Sequence, residues 1–486
     1  MRLLGWRAGG RGVRDTHHSG IGSARTGEAG ESGRWPASSR PSTGSLWRNR
    51  NFLLLWTGQA VSTLGARITE VALPLLVLST THSPAHAGLA GFVAGLPKVV
   101  FQLPAGAWVD RWDRRRIMIG CDLGRLLVIA SIPVVGVTIG ISYPQLVVTC
   151  FIHATLSVFF ALAERAALPQ VVDPEKLPAA VAQNQATMQG AVMVGAPVAG
   201  VLYGLAHLLP FVADAVSYVI SLITLRRIRI SLPAPPLANR DRLLHDIAAG
   251  ARFVWSDRCL RALSLISAAL SPLVAGLPLV VIVLATHLGA TSSQIGTILG
   301  FGGVGGLLGS ALAPYLVRTV AAGTLNLAGL WLWAAFILTM GMVNTPVLLG
   351  LICAALAMLT PVLAVVAQTR RVRLVPHHLL GRVYSIGQLI GAGTAPLGWL
   401  LAGFLLSSVG PSDTPIILGS GLVLLALAAT ASPTMRHADL PQMPAVAGPT
   451  GSGSSSSSAA TAPQHRTGQV CGGAIDDRAN AIRAGR

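Results

Sequence analysis

Gly106-Ala-Trp-Val-Asp110-Arg111-Trp-Asp113-Arg114-Arg115-Arg116 separates two long apolar runs and sets six charges where the hydrophobic sequence breaks off. A helix needs about twenty apolar residues to cross a bilayer core, so the stretch reads as a short turn at the water's edge. Lys and Arg gather in short cytoplasmic loops, and the four arginines assign this edge to the cytoplasm. Gly106, with no Cβ, would let two helix ends approach, and Asp110 would set an anion against a nearby helix N-terminus.

Working outward, the composition agrees. The 486 residues have a mean hydropathy of +0.61 and 11% charged residues, against about 25% in soluble domains. That is a polytopic membrane protein. The formal charge of +18 does not describe a nucleic-acid binder, because the arginines recur at the ends of apolar runs on one side, as orientation signals do. Lys98 and Lys176 are the only lysines, and the Ala-, Gly- and Arg-rich composition suggests a GC-rich bacterial genome and a bacterial plasma membrane. Five scattered cysteines lack ligand spacing and predict neither a disulfide framework nor a metal site. The first residues develop no apolar core of the kind a cleaved signal peptide has.

Twelve apolar runs are legible, over 52–79, 87–109, 117–141, 145–168, 180–206 and 210–225, then 260–286, 294–317, 324–343, 346–368, 383–409 and 415–431. With the N-terminus inside, the inward loops hold Arg111 to Arg116, Lys176, the arginines of 226–261, Arg318 and those of 370–382. The outward connections at 80–85, 142–144, 207–209, 291–293 and 344–345 carry no Lys or Arg. One miscounted helix would invert every later loop, so this asymmetry fixes the count and puts both termini in the cytoplasm.

Residues 1–46 and 432–486 are rich in Gly, Ser, Arg or Pro and are expected to be disordered tails. Between them lie six helices in 47–229, a cytoplasmic loop in 230–259, and six more in 260–431. The loop opens on the stiff Ser231-Leu-Pro-Ala-Pro-Pro236; Leu243, Ile247 and Val254 then fall near one helical face, as in a surface helix. The halves also echo each other. Gly195-Ala-Pro197 with Gly200 answers Gly393-Thr-Ala-Pro396 with Gly398, about 200 residues on. Such duplication predicts two pseudo-symmetric six-helix bundles.

The opening stretch resembles the loop between helices 2 and 3 of the major facilitator superfamily. That loop has a Gly, then Asp-Arg four and five positions on, then paired basic residues. Gly106, Asp110, Arg111, Arg114 and Arg115 match it. Other stretches resemble the drug and siderophore exporter branch, which includes macrolide efflux proteins: 52–62, Ala182-Gln-Asn-Gln185, Ala213-Asp-Ala-Val-Ser-Tyr218, and Val375-Pro-His-His-Leu-Leu-Gly-Arg-Val383. The resemblance covers about residues 47–431. It implies an all-helical fold that moves small molecules by alternating access, exchanging them for protons. Gly190, Gly195, Pro197 and Gly200 partly match the helix 5 antiporter motif; close helix packing alone also explains them.

Charges inside a membrane default to functional candidates. Arg67 and Glu70 stand one turn apart in helix 1, where relatives often carry an Asp at the position of Ala66. Glu70 is the candidate proton carrier, with a structural ion pair as the alternative. Lys98 either faces the cavity or snorkels. Asp122 with Arg125, and Glu164 with Arg165, are expected to join the 111–116 loop in an inner gate, Arg114 pairing with Glu164 or Asp122. Asp214 and Tyr218 are read as a cavity pair or an end cap, and His153 as an interhelical hydrogen-bonding residue. No Gly-rich phosphate loop ends in Gly-Lys-Ser/Thr, so the chain does not read as an ATP-driven pump, and no catalytic cluster marks an enzyme. The sequence therefore predicts a secondary transporter without cofactor, monomeric, with a small-molecule substrate, protons and the bilayer as its partners. A lipid or lysophospholipid transporter of the same fold is the near alternative; a receptor or scaffold is the distant one.

Overall fold

The computed structural model describes residues 46–109, 111–228, 252–256, 258–375 and 380–431. Asp110, most of the central loop and the two stretches read as tails lie outside them.

Twelve long helices run through the described residues. The first six are α1 (Arg50–Thr81), α2 (Pro84–Val109), α3 (Arg114–Thr138), α4 (Tyr143–Val171), α5 (Leu177–Leu205) and α6 (Leu209–Arg227). α7 runs over Arg258–Ala275 and, after a break at Gly276, over Leu277–His287. The rest are α8 (Ser292–Thr319), α9 (Ala322–Met340), α10 (Pro346–Leu374), α11 (Leu380–Ser408) and α12 (Asp413–Ala431). Ten are long and apolar enough to cross a membrane; α2 and α11, the latter apolar over Gly393–Ser408, complete the set.

The sequence punctuates these helices as elementary capping rules require. Asn49 accepts hydrogen bonds from the amides of Asn51 and Phe52 and so starts α1. Asp113 does the same for α3 through the amide of Arg116, at 2.9 Å. At the far ends of α3 and α11, Gly140 and Gly410 take φ of +90° and +93°, the left-handed conformation that closes a helix cheaply only when no Cβ is present. Most of these helices are apolar nearly all round, with Arg258–Ala275 of α7 the amphipathic exception; being helical they satisfy their own amide groups, and their side chains are free to face lipid or neighbours.

In the first half α1 packs on α5 and α6, while α3 lies between α4 and α6, and α2 lies on α4. In the second half α7 packs on α11, α8 on α10, and α9 on α10 and α12. Two helix pairs make the main joint between the halves, α2 with α11 and α5 with α8, with a lesser contact between α2 and α7. Both are built from glycine. A Cβ at Gly88 would lie 2.7 Å from Gly403 Cα, and one at Gly296 would lie 2.8 Å from Gly200 Cα. One turn or more further along, Pro396 fills the space beside Gly95, and Pro197 that beside Gly300. Lipid gives helices no hydrophobic reason to associate, so this backbone-to-backbone contact is what binds the halves. All these contacts lie in the halves of the helices remote from the arginine-rich end, so the two bundles meet at that remote end.

The expected surface helix of the central loop falls mostly outside the described residues. The turn at 252–256 is helical, with Val254 buried and Arg252 and Trp255 exposed.

Candidate transport cavity

Below the closed end a cavity of about 620 Å³ opens along one face each of α1, α2 and α4, with Trp399 of α11 reaching in from the other half. That volume is in the range that holds a drug-sized molecule. Helical spacing decides which side chains line it. On α2, Ala87, Ala90, Ala94, Lys98 and Gln102 recur every three or four residues, so they share one stripe. On α4, His153, Ser157, Ala161 and Arg165 do the same. On α1 the stripe carries Gln59, Thr63, Arg67 and Glu70.

Arg67 and Glu70 form an ion pair, and their side chains remain 32% and 58% exposed, on the cavity wall. α5 makes room for it: a Cβ at Gly195 would lie 2.7 Å from Arg67 Cβ. Lys98 lines the cavity.

Behind this wall lies a polar interior that sequence reasoning did not assemble. Asp122 pairs with Arg125, and Ser221 donates to Asp122 at 2.6 Å; all three are buried. The Arg125 guanidinium lies 4.0 Å from the centroid of the Phe160 ring and 4.8 Å from that of Tyr218. Tyr218 shares a 2.8 Å hydrogen bond with Nε2 of His153, the cavity-lining residue of α4, in keeping with the interhelical role read for that histidine. Asp214 accepts from Thr69 at 2.6 Å and from Ser217 at 3.2 Å. Helices α1, α3, α4 and α6 are thereby tied by hydrogen bonds, those to Asp122 and Asp214 being of the charge-assisted kind that is strong in a low-dielectric interior.

Several expectations are corrected here. Asp214 and Tyr218 are neither a cavity pair nor an end cap; both are fully buried between helices, because Thr69 and His153 offer them partners there. Asp122 and Arg125 do not meet the 111–116 loop. They sit two turns into α3 and neutralise each other. Arg114 donates to the carbonyl of Ala166, not to Glu164 or Asp122, and Arg115 donates to the carbonyls of Leu225 and Arg226 at the end of α6. Arg115 satisfies the last carbonyls of α6 and complements its dipole, and together with Arg114 on α4 it staples α3 to its own bundle. Glu164 accepts from Gln59 at 2.7 Å, and Arg165 lines the cavity. Arg111 is exposed, and open space surrounds the position a Cβ would take on Gly106. Gly190 likewise touches nothing, whereas Gly200 and Pro197 meet α8. The close packing expected of the α5 motif belongs only to its half remote from the arginine-rich end.

A helical membrane protein with two six-helix halves joined by α2–α11 and α5–α8 contacts around one cavity has the architecture of a major facilitator transporter. Solved structures share it. The nucleoside transporter NupG superposes with a TM-score of 0.65 at 13% identity, covering 80% of this chain and 99% of its own. A bacterial homologue of the iron transporter ferroportin, in an inward-facing state, superposes with a TM-score of 0.60 at 19% identity, covering 79% and 100%. The profile described as transmembrane secretion effector matches residues 42–454, and the chain belongs to that family of small-molecule transporters. Among curated relatives, the multidrug efflux pump Tap of Mycolicibacterium fortuitum is 26% identical over 81% of this chain and 98% of its own length. Macrolide efflux protein A of Streptococcus pyogenes is 24% identical over 80% and 97%. The exporter-branch resemblance and the non-enzymatic reading hold.

Proposed function

We propose that this chain is a proton-coupled exporter of an amphipathic small molecule, in a bacterial plasma membrane, with both termini and the arginine-rich end in the cytoplasm. The conformation described is then the inward-facing one, closed outside and open to the cell interior. One observation carries the coupling: the Glu70 carboxylate stands on the cavity wall, where solvent and substrate reach it, and its ion-pair partner Arg67 is beside it. A substrate donor that bonds to the ionised Glu70 carboxylate competes with a proton for it. Each thereby weakens binding of the other, as exchange requires. The curated relatives that are efflux pumps support the outward direction.

The test uses purified protein in proteoliposomes with a panel of amphipathic compounds and a pH-sensitive dye inside. Wild type should show substrate-dependent proton flux. Glu70→Gln should lose gradient-driven transport while retaining substrate exchange at equal pH on both sides. Wild-type coupled transport by Glu70→Gln would remove Glu70 from the mechanism.

A further inference from the structure

We infer, on the reading that this cavity carries substrate, that it selects anionic amphipaths, holding a carboxylate, sulfonate or phosphate at Lys98 and an apolar body against α2 and Trp399. The charges on the wall lead there. Four cations line the cavity, Arg67, Lys98, Arg125 and Arg165, against the one acid Glu70. Glu70 is taken by Arg67, and Arg125 is neutralised by buried Asp122. Arg165 has Glu164 as its chain neighbour, and that carboxylate accepts from Gln59. Lys98 and Arg165 remain, since among the described residues no ion pair includes either; Lys98 is the deeper of the two, because Arg165 stands six residues from the arginine-rich end of α4.

The opposite bundle cannot supply its counter-charge, because no Asp or Glu occurs anywhere from Arg258 to Ser412. Among the described residues of the first bundle the other acids are committed elsewhere: Asp214 is fully buried against Thr69, and Asp113, Asp173 and Glu175 stand at the arginine-rich ends of the helices. Lys98 lies eleven residues before Val109, the end of α2, or about 16 Å at 1.5 Å per residue, roughly halfway through a 30 Å core. Lys98 is exposed on the cavity wall, and once the cavity closes over a guest an ammonium at that depth is costly without an anion. A cationic guest would add to this cost. An anionic one removes it, and gains a charge-assisted hydrogen bond. The small Ala87, Ala90 and Ala94 in line with Lys98, and the Trp399 indole facing them from α11, leave an apolar slot for the remainder of the molecule.

The experiment is counterflow exchange in phosphatidylcholine proteoliposomes without a pH gradient, so that coupling plays no part. Three probes share one body: 6-(1-naphthyl)hexanoate, its primary amide, and the matching trimethylammonium salt. Wild type should exchange the carboxylate with a half-saturation concentration at least tenfold below that of the trimethylammonium salt. Lys98→Gln should lower the preference for carboxylate over amide by about ten- to hundredfold, the worth of one hydrogen bond to a charged group. Lys98→Arg should restore it. A preference for the trimethylammonium salt, or a Lys98→Gln variant with an unaltered carboxylate-to-amide ratio, overturns the inference while leaving the transporter reading standing. Failure of all three probes to exchange removes the cavity reading and this inference with it. Repeating the assay with lysophosphatidylglycerol separates the two sources of such an anion: competition assigns a lipid headgroup, and its absence assigns a soluble amphipath.

Discussion

In the first six helices Asp122, Arg125, His153, Asp214, Tyr218 and the hydroxyls of Thr69 and Ser221 form a hydrogen-bonded interior. The second six instead bury Leu279, Val280, Ile337, Met340, Leu349 and Leu422, and Trp333 donates to the carbonyl of Leu356. The two halves share a helix order and present equivalent glycine seams to each other, yet only one is cemented by charge. Directional bonds fix relative helix positions, whereas apolar contacts of similar area tolerate sliding. The charged lining of the cavity is thus concentrated on the half tied by directional bonds. The other half contributes Trp399 to the wall and meets the first along Gly88–Gly403 and Gly200–Gly296.

The largest effect should come from breaking the charged interior. Arg125→Leu leaves Asp122 buried at 0% exposure without its partner and should cost about 3–5 kcal/mol, seen as a lowered thermal midpoint of the detergent-purified protein. The double replacement Asp122→Leu/Arg125→Leu should recover most of that loss, making the first half resemble the second. If the double variant unfolds as early as the single one, the pair is more than mutual neutralisation. Next, Thr69→Val removes the donor to Asp214 and should cost about 1.5–3 kcal/mol in the same measurement.

At the seam between the halves the comparison can be tested from either side. Gly296→Ala places a methyl against Gly200 Cα at 2.8 Å and the α8–α5 contact must open. Overpacking of this kind costs about 1–3 kcal/mol. A cysteine introduced at Ser293 should become more reactive to a membrane-impermeant reagent added outside; unchanged reactivity would mean that this contact does not hold the remote end closed. The smallest effect belongs to the second half's own helix start. Thr291 and Gln294 form a reciprocal cap on α8, so Thr291→Ala should cost about 1 kcal/mol in thermal stability and leave the carboxylate-to-amide preference alone.

How far the sequence could be read follows from the physics of each feature. Helix ends were legible because hydrocarbon forbids charges and unpaired amides, so Arg50, Arg114, Arg227 and Arg258 stand where spans begin or stop. The run expected at 52–79 is Arg50–Thr81 in the fold, and that at 145–168 is Tyr143–Val171. The pairing of Arg67 with Glu70 was legible because it lies within a single turn. The facing of Asp214 and Tyr218 was not. A span that is apolar all round gives no clue to which side meets the cavity, and both residues are enclosed between helices instead. The ties of Asp122 to Ser221 and of His153 to Tyr218 join residues 99 and 65 positions apart, and no spacing rule connects them.

By itself, then, the sequence determined the number of helices, their lengths and their family, since these follow from local hydropathy and from the charges that punctuate it. It also determined that the second half carries no acid between Arg258 and Ser412. Only the tertiary structure decided that Lys98, Arg67 and Glu70 share one cavity, that Arg114 and Arg115 staple α3 instead of forming a gate with Glu164 or Asp122, and that Trp399 closes the far wall. The reason is geometric. Hydropathy acts residue by residue along the chain, whereas the partner of a buried polar group is chosen by the rotation of each helix about its axis, and that rotation is fixed only when all the helices pack together.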